Sequence, residues 1–272
     1  MRFSCVRAVL ARGAQREDLM ATPLRRVEPA ADPVWQARVD LAAAHRLAAR
    51  YGFDDGIWNH FTLMVPGTTD RFFVKPHGLL MSEVTASSLI TATFDGKVVG
   101  GNGTIETTAY CIHSEVHRMW PEAACMLHCH PLHATWLCNT APGRLLNCHQ
   151  DLLSFDGQVA YDDIFPGSGA TVEEGRRIAA ASQGKRLLMS ASHGLSAMAP
   201  TVAEAWYNLY YFERACKTMY MIVSSGLPMR IVAQDIVDES VKRAKSYIKE
   251  AAELTYSAQK RTLDAEQPDY KT

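Results

Sequence analysis

Two histidines that are close together in the sequence and a third that is far from them could bind one metal ion. His128 and His130 are two residues apart at the end of the apolar run 123–127, which has the composition of a buried strand. Because side chains two apart on a strand point to the same face, the two imidazoles should converge. His193 follows a second apolar run, 187–189. Three imidazoles with one coordination position left open are typical of catalytic metal sites, so we predict a divalent ion here.

The ligand types leave the identity of the metal open. Three histidines suit zinc, manganese or iron, and selection among these metals depends on geometry and availability. We expect one zinc or manganese ion per subunit rather than iron. The alternative interpretation is that these are three unrelated histidines at the ends of strands.

Capping signals mark where several helices begin and end. Asp32 and Pro33 are favourable residues for a helix cap and first turn, and Gly52 is favourable just past a helix end. Thr171 and Thr201 each precede a glutamate by three residues, which is the capping-box pattern of a helix start. These signals predict helices that begin close to 33, 172 and 202.

The apolar periodicity places the histidines among alternating strands and helices. It predicts strands over 58–65, 71–74, 89–94, 123–128 and 186–190. It predicts helices over 34–50, 82–88, 104–120, 133–139, 172–183, 202–224 and 236–260, followed by a polar tail. We therefore expect one α/β domain over residues 31–265, with a mixed sheet covered by helices on both faces.

The composition is that of an ordinary globular enzyme or binding protein. The 272 residues are 47% hydrophobic and 21% charged, which is enough apolar sequence for a large core. The net charge of −1 argues against nucleic acid as the main partner, and no apolar run is long enough to span a membrane. The seven cysteines contain no C-x-x-C motif, so we expect a reducing, cytoplasmic location without disulfides.

The first 30 residues differ from the rest of the chain. Arginines are spread among small residues there, and the first acidic residue is Glu17. One interpretation is a transit peptide. We favour a disordered extension, or a start codon assigned too early with Met20 as the true first residue, and we place no chemistry in this segment.

The motifs around the three histidines resemble those of the class II aldolase/adducin family, from about Val34 to Val223. The matching segments are Trp58–Thr62, Pro76–Gly78, the helix from His113 to Pro121, His128–His130, Tyr161–Gly167 and His193–Leu195. The resemblance implies a three-layer α/β/α fold with a mostly antiparallel central sheet. It also implies a divalent metal on His128, His130 and His193, and a homotetramer with active sites at subunit interfaces.

Two positions depart from the pattern of the sugar-phosphate aldolases in this family. Those enzymes carry a catalytic glutamate where this sequence has Ala109, and the glycine of a phosphate-binding Gly-Asn pair where it has Trp58. Thr107 and Thr108 keep hydroxyls that contact phosphate in those enzymes, and Asn59 keeps the amide. Loss of an acid–base group removes a contribution of roughly 10²–10⁴-fold in rate, which a ketose-phosphate aldolase should not tolerate.

The local sequence is most similar to family members that decarboxylate aromatic ortho-hydroxy acids. We therefore expect a small aromatic acid as substrate, with 3-hydroxy-2-methylpyridine-4,5-dicarboxylate of vitamin B6 degradation as one candidate. A first alternative is an aldolase or epimerase that acts on a small sugar or sugar phosphate, with Glu106 replacing the missing glutamate. A second is a non-catalytic adducin-like module, although adducin-type domains lack the metal histidines. A third is a non-haem iron oxygenase.

Three side chains are candidates for the proton donor. Glu106 is close in sequence to the missing glutamate, although it could equally be a solvated carboxylate in the first turn of a helix. His149 carries an imidazole, the side chain that most often transfers protons near neutral pH; the alternative is a surface-loop histidine. Tyr161 can donate from its hydroxyl, or packs in the core.

The remaining predicted site residues would line the substrate pocket. The predicted substrate-binding residues are Trp58, Asn59, His77, Gly78, Thr107 and Thr108. Lys75 and Arg71 could bind a carboxylate, but cations at strand ends are usually solvated. His113 and His117 are one turn apart, and we expect one to face the site and the other to be solvated or packed.

Overall fold

One eight-stranded sheet organises the part of the chain that the computed structural model describes, which comprises residues 32–141, 143–165, 167 and 171–272. The predicted N-terminal extension lies outside these residues. The strands are β1 (His60–Met64), β2 (Arg71–Val74), β3 (Ile90–Thr93), β4 (Val98–Gly100), β5 (Cys125–Cys129), β6 (Val159–Asp162), β7 (Leu187–Ser190) and β8 (Leu195–Ala199). Their spatial order is β4-β3-β2-β1-β5-β8-β7-β6, and only the β6–β7 pair is parallel. The prediction of a mixed, mostly antiparallel sheet is confirmed.

Seven α-helices accompany the sheet within the described residues. They are α1 (Pro33–Tyr51), α2 (Thr107–Met119), α3 (Leu132–Cys138), α4 (Gln150–Leu153), α5 (Val172–Ser182), α6 (Val202–Ser224) and α7 (Gln234–Glu266). The predicted caps are confirmed, because the side chains of Asp32, Thr171 and Thr201 each accept a backbone N–H of the helix that follows them. None of these helices is both long enough and apolar enough to cross a membrane.

Alternation along the central strands divides the core into two layers. Leu127 of β5 points into the larger cluster, which includes Trp206 of α6. Its neighbour Met126 points to the opposite face and packs with Ile112 of α2 and Ile178 of α5. Helices therefore cover both faces of the sheet, and the predicted three-layer α/β/α arrangement is confirmed. His128 and His60 share the α2 face with Met126, because residues two apart on a strand lie on one face.

Two predictions about helices are wrong. The predicted helix over 82–88 is only a short 3₁₀ turn, Met81–Glu83. The side chains of Thr85 and Ser88 bond to each other's backbone N–H groups and so stabilise a turn in place of a second helical turn. The predicted polar tail is also structured, because α7 runs to Glu266 and Tyr270 beyond it is completely buried.

Three strands were not predicted. β8 directly follows the His193 turn and is buried along its whole length, so it lacks the alternation that identifies a half-exposed strand. β4 is only three residues long and β6 four. Strands this short carry too little periodicity to be recognised from the sequence.

Candidate active site

The three predicted metal ligands meet at one end of the central strands. His128 lies in β5, His130 directly after it, and His193 in the turn between β7 and β8. One ring nitrogen from each lies within 4.8 Å of the others. The prediction that these side chains converge is therefore confirmed, although β5 and the β7–β8 turn are more than 60 residues apart in the sequence.

A glycine allows this close approach. A Cβ atom added at Gly194 would lie 2.4 Å from Cδ2 of His130 and 2.9 Å from the carbonyl oxygen of Cys129. Neither contact is sterically tolerable, so a side chain here would push the His193 turn away from His130. Ser192, two residues before Gly194 in the same turn, has a φ of 56°, which lies in the left-handed region.

In His128 and His130, one ring nitrogen contacts an oxygen that orients the ring, and the other ring nitrogen is left for the metal. Nδ1 of His128 lies 3.1 Å from the carbonyl oxygen of Leu195, which can only accept, so Nδ1–H donates. Nδ1 of His130 lies 3.2 Å from the carboxylate of Asp55. The Nε2 atom of His130 is buried and has no hydrogen-bond partner among the residues that the structure describes. Metal-binding histidines typically show this arrangement, with one nitrogen held by an oxygen and the other left free.

Two of the rings, those of His128 and His193, are also in the protonation state that metal binding needs. Burial lowers the pKa of His128 well below its ordinary value and lowers the pKa of His193 to about 4. Both are neutral at physiological pH and keep a lone pair. The donor set and the unpartnered nitrogen therefore fit a divalent metal ion.

A cavity of about 390 Å³ opens beside the three histidines. Its volume suits a small organic ligand. Six residues predicted to act in catalysis or substrate binding line it, namely Trp58, Asn59, His77, Glu106, Thr107 and Thr108. The rings of Trp58 and His77 are 5.9 Å apart and give the cavity an aromatic wall.

Asn59 is the clearest polar candidate for ligand contact. Its side chain is buried, and neither its Oδ1 nor its Nδ2 atom has a hydrogen-bond partner within the described part of the chain. Its φ of 55° is unusual for a residue other than glycine. Buried amides are normally hydrogen-bonded, so a bound ligand would supply what this amide lacks.

Lys75 is buried beside the cavity, so it is not the solvated cation that its position at a strand end predicts. Its Nζ atom donates to the carbonyl oxygens of Ile57 at 2.7 Å and Leu79 at 2.9 Å. Burial lowers the pKa of Lys75 to about 8. Arg71 pairs with Asp70 at the surface, as expected for a solvated cation.

Glu106 combines both of its predicted roles. It caps α2 by accepting the backbone N–H of Ala109 at 2.9 Å, and it also accepts the hydroxyl of Thr108. Burial alone would raise the pKa of Glu106, but these hydrogen bonds outweigh burial and hold its pKa below the ordinary value. Its carboxylate lies 3.8 Å from Nε2 of His60. Glu106 is therefore an ionised carboxylate inside the cavity.

Two of the predicted proton donors, His149 and Tyr161, do not line the cavity. His149 caps α4 and accepts the backbone N–H of Asp151. The hydroxyl of Tyr161 accepts the backbone N–H of Leu145 at 3.2 Å. The structure brings neither these two side chains nor Gly78 to the lining of the cavity, and their assignments stay predictions.

Sequence reasoning missed two residues of the site. His60 lines the cavity and pairs with His128 in the register between β1 and β5. Asp55 orients the ring of His130 from a loop more than 70 residues away. The Asn-His step before a strand was a visible signal for His60, but no local pattern indicates that Asp55 reaches His130.

Comparisons with known proteins agree with this geometry. The family described as class II aldolase and adducin N-terminal domain matches residues 39–220. The chain belongs to this family. A Caulobacter vibrioides relative named "Putative aldolase class 2 protein" is 34% identical over 238 residues, which cover 87% of this chain and 92% of the relative.

Two further relatives show how widely this family extends. The crystal structure of an aldolase II superfamily protein from Pseudomonas syringae has a TM-score of 0.84 at 29% identity, covering 91% of this chain and 98% of that one. Alpha-adducin from Rattus norvegicus is 32% identical over 216 residues, which cover 77% of this chain but 28% of the adducin. Family membership therefore establishes the fold and leaves the reaction to be inferred from the site.

Proposed function

We propose that the protein is a metal-dependent lyase that decarboxylates an aromatic ortho-hydroxy acid or diacid. 3-Hydroxy-2-methylpyridine-4,5-dicarboxylate is one candidate substrate. The observation that carries the proposal is the aromatic wall formed by Trp58 and His77, which lines the same cavity of about 390 Å³ as the three histidines. A flat aromatic substrate would stack against such a wall.

His128, His130 and His193 would hold the metal, zinc or manganese. When bound, the ion would act as a Lewis acid for the electrons released from the broken C–C bond. The open side of the histidine cluster faces the cavity, so substrate oxygens would reach the ion from there.

The protein's own side chains would bind the substrate and move one proton. Glu106, ionised in the free site, takes the proton of the substrate hydroxyl and delivers it to the ring carbon that carries the carboxylate. The bond from that carbon to the carboxylate then breaks, CO₂ leaves, and the electron pair restores the aromatic ring. Asn59 and Lys75 supply hydrogen-bond donors for a carboxylate.

An aldolase or epimerase for a small sugar or sugar phosphate is the second candidate. Glu106 lies in the cavity although it is not at the position of the family's catalytic glutamate, and it could take over acid–base chemistry. Thr107 and Thr108 add hydroxyls that could contact a phosphate. Both candidate reactions need the same metal and the same carboxylate, so only substrates separate them.

The deciding experiment supplies both kinds of substrate to the zinc- and manganese-loaded protein. We expect CO₂ release from an aromatic hydroxy acid, dependent on metal and lost in Glu106→Gln. Cleavage of a ketose phosphate without CO₂ release from any aromatic hydroxy acid would replace the first candidate with the second. Turnover of neither class would refute both.

We also propose that the protein assembles as a homotetramer with sites at the subunit interfaces. Ile164 and Phe165 are 59% and 53% exposed, and both line a small cavity that also contacts His193. Large apolar side chains beside a polar site are typical of a surface that a partner covers. Light scattering coupled to size exclusion tests this, and a monomeric mass would contradict it.

A further inference from the structure

A continuous hydrogen-bonded chain runs from the cavity into the protein along the α2 face of the sheet. Nδ1 of His60 lies 2.9 Å from Nε2 of His113, whose Nδ1 lies 2.7 Å from Oγ1 of Thr62. Oγ1 of Thr62 lies 2.8 Å from Nε2 of His117, and Nδ1 of His117 lies 2.7 Å from the carbonyl oxygen of Ala123. His117 is packed, as predicted for one residue of the pair, whereas His113 is buried behind His60 and does not itself line the cavity.

The inner end of this chain fixes the direction of every hydrogen bond in it. A carbonyl oxygen can only accept, so Nδ1–H of His117 donates to Ala123. Burial lowers the pKa of His117 to about 4 and that of His113 well below its ordinary value, so each ring has a single N–H. Oγ1 of Thr62 also lies 3.5 Å from the carbonyl oxygen of Met126, but the contact with Nε2 of His117 is much shorter at 2.8 Å, so the hydroxyl hydrogen goes to His117.

The remaining bonds follow in the same direction. Because the hydrogen of Thr62 is committed to His117, Nδ1–H of His113 donates to Thr62 and its Nε2 accepts from His60. His60 therefore carries its hydrogen on Nδ1. Its Nε2 lone pair points toward the cavity, 3.2 Å from the hydroxyl oxygen of Thr108.

Thr108 cannot satisfy this lone pair. Its only hydrogen goes to Glu106, which is an ionised acceptor. From Glu106 to Ala123 there are six contacts but only five hydrogens, one from each neutral imidazole and one from each hydroxyl. The mismatch falls at the His60–Thr108 contact, which at 3.2 Å is the longest of the six and lines the cavity.

We propose that His60 is a substrate-binding residue whose Nε2 accepts a hydrogen bond from the substrate hydroxyl, and that His113, Thr62 and His117 are positioning residues that hold His60 in this tautomer. The inference deepens the proposed function and rests on this cavity being the substrate site. The hydroxyl donates its single hydrogen to His60 when the substrate binds and turns it to the carboxylate of Glu106, which is 3.8 Å from Nε2, when the proton is transferred. Substrates without a donor at this place leave a buried acceptor unpaired.

The first test measures the tautomers directly and needs no turnover. Nitrogen-15 chemical shifts of labelled histidines in the zinc-loaded protein should show His60, His113 and His117 all with hydrogen on Nδ1. Any of the three with its hydrogen on Nε2 would overturn the proposed direction of the chain.

The second test measures the hydroxyl preference by calorimetry with salicylate and 2-methoxybenzoate. We expect wild-type, zinc-loaded protein to bind salicylate more tightly, and the ratio of the two affinities to fall about tenfold in His60→Phe. Because the ratio is compared between variants, any preference of the metal for a free hydroxyl cancels. An unchanged ratio in His60→Phe would overturn the role of His60, whether or not the protein releases CO₂.

The third test separates positioning from packing. Thr62→Val removes the hydroxyl that connects His113 and His117 while keeping the volume, and it should lower the salicylate preference about tenfold without changing zinc content. Thr62→Ser should restore it. Thr135→Val is the matched control, since the Thr135 hydroxyl is buried but has no hydrogen-bond partner in the described part of the chain. Equal effects of Thr62→Val and Thr135→Val, or no rescue by serine, would refute the positioning role.

Discussion

Two histidine clusters lie side by side on the same face of the sheet and have opposite hydrogen-bonding states. In the cluster formed by His128, His130 and His193, one ring nitrogen of each residue lies within 4.8 Å of the others, and Nε2 of His130 has no hydrogen-bond partner among the described residues. In the chain from His60 to His117, every ring nitrogen has a hydrogen-bond partner except Nε2 of His60, which faces the hydroxyl oxygen of Thr108.

This contrast shows that the surroundings of an imidazole determine whether it can bind a metal ion or instead orients a neighbouring side chain. A buried nitrogen without a partner is energetically costly unless something else, such as a metal ion, completes it. A nitrogen already paired with oxygen or with another ring has a fixed hydrogen and serves orientation. The first cluster should therefore respond to the loss of metal and the second to the loss of a hydrogen bond.

The largest expected effect comes from breaking the first cluster. His128→Ala and His193→Ala should each lose the bound metal and abolish turnover, because each substitution removes one of the three protein ligands and leaves only two imidazoles on the ion. Elemental analysis of the purified variants measures this. His117→Gln serves as control and should keep its metal, and full metal content in both alanine variants would show that the three histidines are not the ligands.

Glu106→Gln should produce the next largest effect. The amide cannot carry a proton to the substrate, so kcat should fall by roughly 10²–10⁴-fold while the metal remains bound. Steady-state kinetics beside elemental analysis separate the two quantities. A variant with near-normal kcat would remove Glu106 from the chemistry and return attention to His149 and Tyr161.

The hydrogen-bonded chain of buried histidines should make the free energy of unfolding depend on pH, in a direction set by the lowered pKa values of its rings. The pKa of His117 is about 4 in the folded protein and about 6.5 when exposed, so the unfolded state binds protons first as pH falls. The free energy of unfolding should therefore decrease between about pH 6.5 and 4, by up to about 1.4 kcal/mol per pH unit for this residue. Urea unfolding of metal-free protein at several pH values tests the slope. His117→Gln should reduce it, and an identical slope would contradict the assignment.

The smallest expected effect tests the orientation of one metal ligand. Asp55→Asn weakens the contact that aligns His130, and the affinity for zinc should fall roughly tenfold, at the low end for residues that orient ligands because Asp55 is exposed. Competition with a chromophoric chelator measures the affinity. Asp54→Asn, one residue earlier, is a matched control that should leave zinc affinity unchanged. Equal affinities for all three proteins would show that His130 is oriented by its own strand alone.

The sequence by itself determined where the three candidate metal ligands belong. His128 and His130 are tied to one face by the period of a strand, and β5 lies within a residue or two of its predicted position. The helix starts at Asp32, Thr171 and Thr201 were also readable, because a capping side chain acts on backbone only two or three residues away.

Only the tertiary structure decided which other side chains join the site. His60 reaches His113 and His128 because β1 pairs with β5 in one register and α2 crosses above them, and neither the pairing nor the crossing leaves a local trace in the sequence. The direction of the buried hydrogen bonds depends on a single carbonyl, that of Ala123, whose position no side-chain pattern records. Short-range preferences fix backbone and periodicity, whereas the pairing of distant nitrogens and oxygens requires the packed layers to bring them within 3 Å or so of one another.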